Sequence, residues 1–226
     1  MNSKLKKAKG FFDVLPDDYF SSVKRVIFSF LERRNYKEII TPIVEKRELY
    51  ERVFVAGDTI ANHEMFTFQS KSGVELVLRP EATGSVMRAV VENSYYQFHQ
   101  KPIKLFYFGK MFRYERPQKN RQREFNQFGV EILGGETPCS DVEAIATAYD
   151  LITTLRINHS LKLLINYFGS KTTKEKYLFT LKSFLAEKII DYCENCLVRY
   201  RKNTLRILDC AECKNKFSGL PKISLL

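Results

Sequence analysis

The stretch IKLFYFGKMFRYERPQKNRQREFNQFGVEILG, from Ile103 to Gly134, holds the densest set of residues able to handle a charged ligand. Read as two strands joined by a polar basic loop, it points successive side chains to opposite faces. One parity of the rising strand carries Leu105, Tyr107, Gly109, Met111, Arg113 and Glu115, and one parity of the returning strand carries Phe125, Gln127, Gly129 and Glu131. The alternate set, Asn126, Phe128, Val130 and Ile132, reads as mostly core-facing. An arginine on such a floor can grip a phosphate bidentately, and Glu131 and Gln127 can accept hydrogen bonds from an ammonium or amide. Glycine weakens a strand and is tolerated where something approaches the backbone closely, so Gly109 and Gly129 are read as floor space for a ligand. Any one of these residues alone would be an incidental group on a solvated sheet. Two glycines and four polar groups on one parity argue for a site. Just upstream, LRPEAT adds Glu81 and Thr83 where a strand meets a helix. The loop ERPQKNRQRE gathers Arg116, Lys119, Arg121 and Arg123, either as a flexible basic turn or as a clamp over a polyphosphate and the end of a nucleic acid strand.

A second constellation lies near the C-terminus. Cys193 and Cys196, then Cys210 and Cys213, form two CxxC pairs separated by 13 residues. That spacing is close to a zinc ribbon, and four thiolates there can close a tetrahedral structural site for Zn2+. The plain alternative is four ordinary thiols. Cys139 has no partner and is expected to pack, and His63, His99 and His159 are scattered without ligand spacing.

The elements that must position these residues follow from periodicity and punctuation. DVLPDDYFSSVKRVIFSFLERRNY reads as an amphipathic helix with apolar Phe20, Val23, Val26, Ile27 and Phe30, capped by Asp17 or Asp18. KEIITPIVEKRELY reads as a β-branched strand in which Pro42 favours an edge or a bulge, and an edge is where another subunit could pair. A strand, a turn at Ser72 and Gly73, a strand and a helix opening near Thr83 come next. After the basic hairpin, a helix capped by Ser140 or Asp141 leads to a strand at LKLLINYFGS, and a Lys-rich helix then precedes the cysteines. Strands paired as antiparallel hairpins among helices predict an α+β fold around an antiparallel sheet, with one domain over 1–170 and a second beginning at 171 and running to 226. There is no GxGxxG or Walker A loop, so a nucleotide must be held by side chains. The net charge of +11 suits a polyanionic partner, although a Lys-rich solvated surface gives the same excess. No apolar run approaches the roughly 18 residues of a membrane span and no secretory signal is evident, so no membrane association and a cytoplasmic location are expected.

FRYERPQKNRQREFNQFGVE resembles motif 2 of the class II aminoacyl-tRNA synthetases, specifically the histidyl enzymes. The helix and strand ending at Pro42 resemble motif 1, the dimer-interface element of that family, LRPEAT resembles its histidine-site signature RPEGT, KAKGFFDVLP its usual opening, and NTLRILD its NPLRILD. Family character extends from about Lys7 to about Leu208. The resemblance implies a histidine–tRNA ligase: histidine attacks the α-phosphate of ATP, giving histidyl-adenylate and pyrophosphate, and the acyl group then passes to tRNA(His). It implies that Arg113 holds the α-phosphate and is catalytic, that Glu115 receives the adenine amino group, that Phe125 stacks on the ring, and that Arg121 meets outer phosphates that also need Mg2+. It further implies that Glu81, Thr83, Gln127 and Glu131 surround the histidine, that Gln118 and Arg123 face the tRNA acceptor end, and that the chain is a homodimer.

Ala82, Asn120, Asn126 and Thr204 depart from the usual family residues without removing a group of assigned role. A second histidine-site motif, RGLDYY, and motif 3 are not found, and neither is an anticodon-binding domain. The chain therefore reads as a truncated form, the second domain being the start of an insertion domain, and it is expected to be inactive alone. Two other readings are a non-catalytic regulatory paralogue of the phosphoribosyltransferase of histidine biosynthesis, and a tRNA-binding fragment.

Overall fold

Helix α1 (Phe20–Glu32) buries Ile27, Phe30 and Leu31, the i, i+3, i+4 stripe of an amphipathic helix, while Val23 and Val26 turn outward. It stops at Asn35, whose left-handed backbone (φ 61°) lets the Tyr36 N–H reach back to the Leu31 carbonyl at 3.1 Å. Tyr19 occupies the N-cap position, and the expected caps Asp17 and Asp18 lie outside the described residues. The computed structural model describes residues 6–16, 19–54, 64–119, 121–135, 138–157, 161–165 and 169–221.

Pro42 does more than mark an edge. Lacking an N–H, it divides the expected strand into β1 (Lys37–Glu38) and β2 (Val44–Lys46), which join different sheets. The residues after β2 were expected to continue as strand. They form helix α2 (Arg47–Val53) instead, with Arg47–Glu51 and Glu48–Arg52 paired one turn apart. β3 (Phe66–Gln69) and β4 (Glu75–Leu78) are joined by the expected turn, with Gly73 at φ 82°. Helices α3 (Thr83–Glu92) and α4 (Tyr95–Phe98) follow, then the long hairpin of β5 (Ile103–Phe112) and β6 (Glu124–Leu133), and α5 (Cys139–Thr154). The last helix starts one residue before its expected caps and makes no side-chain cap hydrogen bond. The strand expected at 161–170 is not formed at 161–165, and 166–168 lie outside the described residues.

One sheet has the order β1-β5-β6, with β1 parallel to β5 and β5 antiparallel to β6; the other, β2-β4-β3, is antiparallel throughout. The α+β expectation holds, with a short parallel pair added to the antiparallel arrangement. The hairpin packs on both faces. Phe106, Phe108, Val130 and Ile132 meet α1 and Leu151 of α5, and Leu105, Tyr107 and Met111 meet Ala82, Val86 and Val90 of the α3 segment. Each large apolar side chain so buried contributes roughly 1.5–3 kcal/mol, which locks the register that the candidate site depends on.

Contacts divide the chain into two compact units near residue 163. In the second, Ser170 caps α6 (Lys171–Ala186), its Oγ accepting from the Thr173 N–H at 3.2 Å, and Tyr177, Leu181 and Leu185 line the buried face. Helix α7 (Glu194–Lys202) and short 3-10 turns at Ile189–Asp191, Thr204–Asp209 and Lys214–Lys216 complete it.

Candidate active site on the β5–β6 face

The observed register sets Leu105 opposite Glu131, Tyr107 opposite Gly129, Gly109 opposite Gln127 and Met111 opposite Phe125. Opposed residues share a face, so the parity expected from the sequence is the parity of the sheet. At the start of α3, the Glu81 carboxylate accepts from the Thr83 N–H at 2.7 Å and the Gly84 N–H at 2.9 Å, neutralising orphan donors of the first turn. Thr83 Oγ1 in turn donates to Glu131 Oε1 at 2.8 Å. Glu81, Thr83 and Glu131 thereby form one chain of hydrogen bonds from helix to strand.

Gln127 completes this group. Its Nε2 donates to the Tyr107 hydroxyl at 3.1 Å, while its Oε1 is buried without a hydrogen-bond partner. A buried acceptor left open costs about 1–3 kcal/mol, and the ligand chemistry that would satisfy it is an N–H donor. Burial pushes the Glu131 carboxyl above its ordinary value; the Thr83 hydrogen bond opposes that rise, and the Glu81 carboxylate adds a smaller upward push. Burial likewise raises the Tyr107 phenol.

A hollow of about 680 Å³ lies further along, lined by Phe12, Phe20, Arg113, Glu115, Arg121, Gln122, Phe125 and Asn126. All four residues expected to hold a nucleotide line it. Arg113 donates from Nε to the Pro80 carbonyl at 3.0 Å and lies 5.2 Å from the Phe125 ring centre, so its orientation is set before any ligand arrives. Arg121 pairs with Glu115 at 3.2 Å. Phe125 and Gln127 are alternate residues of one strand face, about 7 Å apart, which makes the hollow and the Glu131 group neighbours. Phe12, Phe20, Gln122 and Asn126 were not expected here. Asn126 belongs to the opposite parity, and because β6 is an edge of its sheet among the described residues the hollow can draw on both of its faces.

The loop residues separate. Gln118 is exposed at the loop tip, exchanging backbone hydrogen bonds with Arg121 at 3.0 and 3.2 Å. Arg123 is tied to the loop base: its Nε donates to the Glu115 carbonyl at 3.2 Å, its guanidinium sits 4.1 Å from the Tyr114 ring centre, and its N–H reaches the Gly10 carbonyl at 2.7 Å.

The two glycines are not floor space for a ligand. A Cβ on Gly129 would lie 2.4 Å from the Tyr107 hydroxyl, and one on Gly109 would lie 2.3 Å from Arg79 Nη2. Protein side chains already occupy what glycine leaves open. Arg79, which the sequence reading passed over, is 6% exposed and bridges the two sheets. Its Nη1 donates to the carbonyl and the hydroxyl of Thr41, both at 2.9 Å, and its Nε to the Lys110 carbonyl at 3.0 Å. Burial lowers its pKa, yet an arginine remains charged. The available signal was parity: Arg79 shares a strand face with Val77, which is wholly buried.

This fold, with motif-bearing side chains gathered on its hairpin, is that of a class II aminoacyl-tRNA synthetase catalytic domain. The family profile described as histidyl-tRNA synthetase matches residues 10–169. A histidine–tRNA ligase of Phytoplasma mali is 38% identical over 224 residues, covering 97% of this chain and 52% of the relative, and one from a Geobacillus species is 43% identical over 206 residues, covering 89% and 48%. The crystal structure of apo S. aureus histidyl-tRNA synthetase aligns with a TM-score of 0.76 at 32% identity, over 97% of this chain and 49% of that one. This chain belongs to the histidyl-tRNA synthetase family. It spans about half the length of the curated relatives it matches. Among the described residues no helix is long and apolar enough to cross a membrane.

Proposed function

We propose that this chain carries the ATP-binding and histidine-binding part of a histidine–tRNA ligase. The observation that carries the reading is that Arg113, Glu115, Arg121 and Phe125 share one hollow while the open acceptor of Gln127 stands beside Glu81, Thr83 and Glu131. Histidine bound at Gln127 and Glu131 presents its carboxylate toward the α-phosphate of ATP. One carboxylate oxygen attacks phosphorus, the bond to the β,γ-diphosphate breaks, and pyrophosphate leaves with the electron pair. Arg113, fixed by Pro80 and Phe125, counters the charge that grows on the α-phosphate oxygens, and fixed charge of this kind needs little reorganisation during reaction. Arg121 leaves Glu115 to meet the outer phosphates, freeing that carboxylate for the adenine amino group. Phe125 stacks on the adenine.

Magnesium, when present, neutralises phosphate charge. Among the described residues Glu115, assigned to the adenine amino group, is the one carboxylate lining the hollow, so they offer no carboxylate cluster for the ion and no step here depends on one. Transfer to tRNA(His) draws on Gln118 at the exposed loop tip, with Arg123 holding the loop. Among the described residues β2 is an edge of its sheet, and Ile40, Ile43 and Val44 are exposed beside it, which supports self-association there as a homodimer.

Titration calorimetry tests the reading. The chain binds ATP and histidine separately, and Arg113→Ala weakens ATP about tenfold or more, in keeping with loss of a charged hydrogen bond of about 1.5–3 kcal/mol. Histidine-dependent pyrophosphate exchange stays slow for the chain alone, whose relatives are twice as long. Absence of binding by both ligands would overturn the ligase reading in favour of a regulatory or tRNA-binding role.

A further inference from the structure

The second unit has a small core with an unusual composition. Among the described residues its buried hydrophobic cluster is Tyr177, Leu181, Leu185, Tyr192, Cys196, Ile207, Cys210 and Cys213, so three of eight are cysteines. The segment after α6 contains, among the described residues, one nine-residue helix and short 3-10 turns, with no sheet to tie them together. So short a segment buries too little apolar surface to be stable by packing alone and needs a staple.

The geometry points to a structural zinc ion held by Cys193, Cys196, Cys210 and Cys213. All four Sγ atoms lie within 4.8 Å of one another. Four thiolates at the usual Zn–S distance of 2.3 Å on a tetrahedron stand about 3.8 Å apart. Cys193 and Cys210 are 3.7 Å apart, which matches a shared ion and is far from the roughly 2 Å of a disulfide. The backbone prepares the thiolates too. Cys193 occupies the N-cap position of α7 and Cys196 lies in its first turn, where the helix dipole favours negative charge, and the Cys193 N–H donates to Cys213 Sγ at 3.3 Å. Each CxxC pair contributes two sulfurs, so the ion crosslinks the start of α7 to the turn following Thr204–Asp209. A set of four soft thiolates selects zinc over magnesium or calcium. Four protein ligands leave no open position, which makes the ion structural and not catalytic. Binding displaces each remaining thiol proton to solvent.

This site stands independently of the ligase reading, and its test measures metal and not aminoacylation. The full chain, purified under reducing conditions with zinc in the medium, is analysed by native mass spectrometry and elemental analysis. One zinc per chain is expected, retained in Cys139→Ser and lost in Cys196→Ser. Because Cys196→Ser could fail to fold, the unmodified chain is also stripped with chelator and titrated with Co2+. Intense thiolate-to-cobalt charge transfer and visible bands of tetrahedral cobalt, saturating at one equivalent and reversed by zinc, support the site. Chain that takes up neither ion overturns it, as does chain lighter by two or four hydrogens through disulfide formation, or zinc that persists undiminished in a folded Cys196→Ser.

Discussion

Substituting Gly129 by alanine separates two accounts of why a glycine stands in the middle of β6. If the position is open for a ligand, alanine leaves stability unchanged and affects binding only. In the structure the new Cβ would sit 2.4, 2.5 and 2.8 Å from Oη, Cζ and Cε1 of Tyr107, about 1 Å short of ordinary contact. Tyr107 cannot easily give way. It is 5% exposed, packs against the α3 segment and accepts from Gln127. Overpacking of this kind costs about 1–3 kcal/mol. Replacing a strand glycine by alanine returns roughly 0.5–1 kcal/mol of backbone entropy, leaving a net loss of about 1–2 kcal/mol. For a chain of this size that lowers Tm by about 2–8 °C. Thermal unfolding followed by circular dichroism reads it, with hydrogen exchange confirming that the loss falls on the β5–β6 amides. The decisive arm is the Tyr107→Ala background, in which the ring is gone and Gly129→Ala becomes neutral or slightly stabilising, a coupling of about 1–3 kcal/mol. An equal cost in both backgrounds would refute the argument, since the tyrosine would then have nothing to do with the glycine.

Arg79→Met leaves the Thr41 and Lys110 acceptors without their donor and should cost about 2–4 kcal/mol in chemical denaturation; a change below 1 kcal/mol would mean the bridge between sheets contributes little. Glu131→Gln should raise Tm at neutral pH while weakening histidine binding. The folded carboxyl titrates above its unfolded value, so native stability relative to acid falls as pH rises past the ordinary range near 4.5, and the amide removes that slope; a steeper slope in melts across mildly acidic pH contradicts the assignment. Ile40→Asp, at an 83% exposed position, should shift sedimentation toward monomer with Tm nearly unchanged, and an unaltered sedimentation coefficient would discard this edge as the contact.

The hairpin was legible because its evidence is strictly local: a period of two fixes which residues share a face, and ten-residue strands on either side of a polar loop leave little freedom of register. Helix α2 was misread for an instructive reason. Val44 and the preceding isoleucines suggest strand, and that bias ran past Lys46, although Arg47–Glu51 and Glu48–Arg52 already carried a helical spacing of charges. Pro42 announced an interruption but not its consequence, since the partners of β1 and β2 lie 30 or more residues away, in β5 and β4 respectively.

Convergence of the site residues was legible for the same reason as the hairpin, and the role of the glycines was not. Parity says that Gly109 and Gly129 share a face with Gln127 and Glu131, but it cannot say which neighbour lies across them. That depends on where Arg79 goes from β4 and which way the Tyr107 ring lies, both decided by burial. The correction alters the physical picture of the site. Glycine here admits two protein side chains, and these brace the candidate site: Tyr107 fixes the Gln127 amide so that Oε1 remains open, and Arg79 binds the Pro42 segment to the strand that leads into Arg113. On the proposed function, preorganisation therefore resides in a layer between the sheet backbone and the bound substrates. Substitutions in that layer should disturb the binding proposed above through the position of Gln127 and Arg113, without removing any group proposed to touch ATP or histidine.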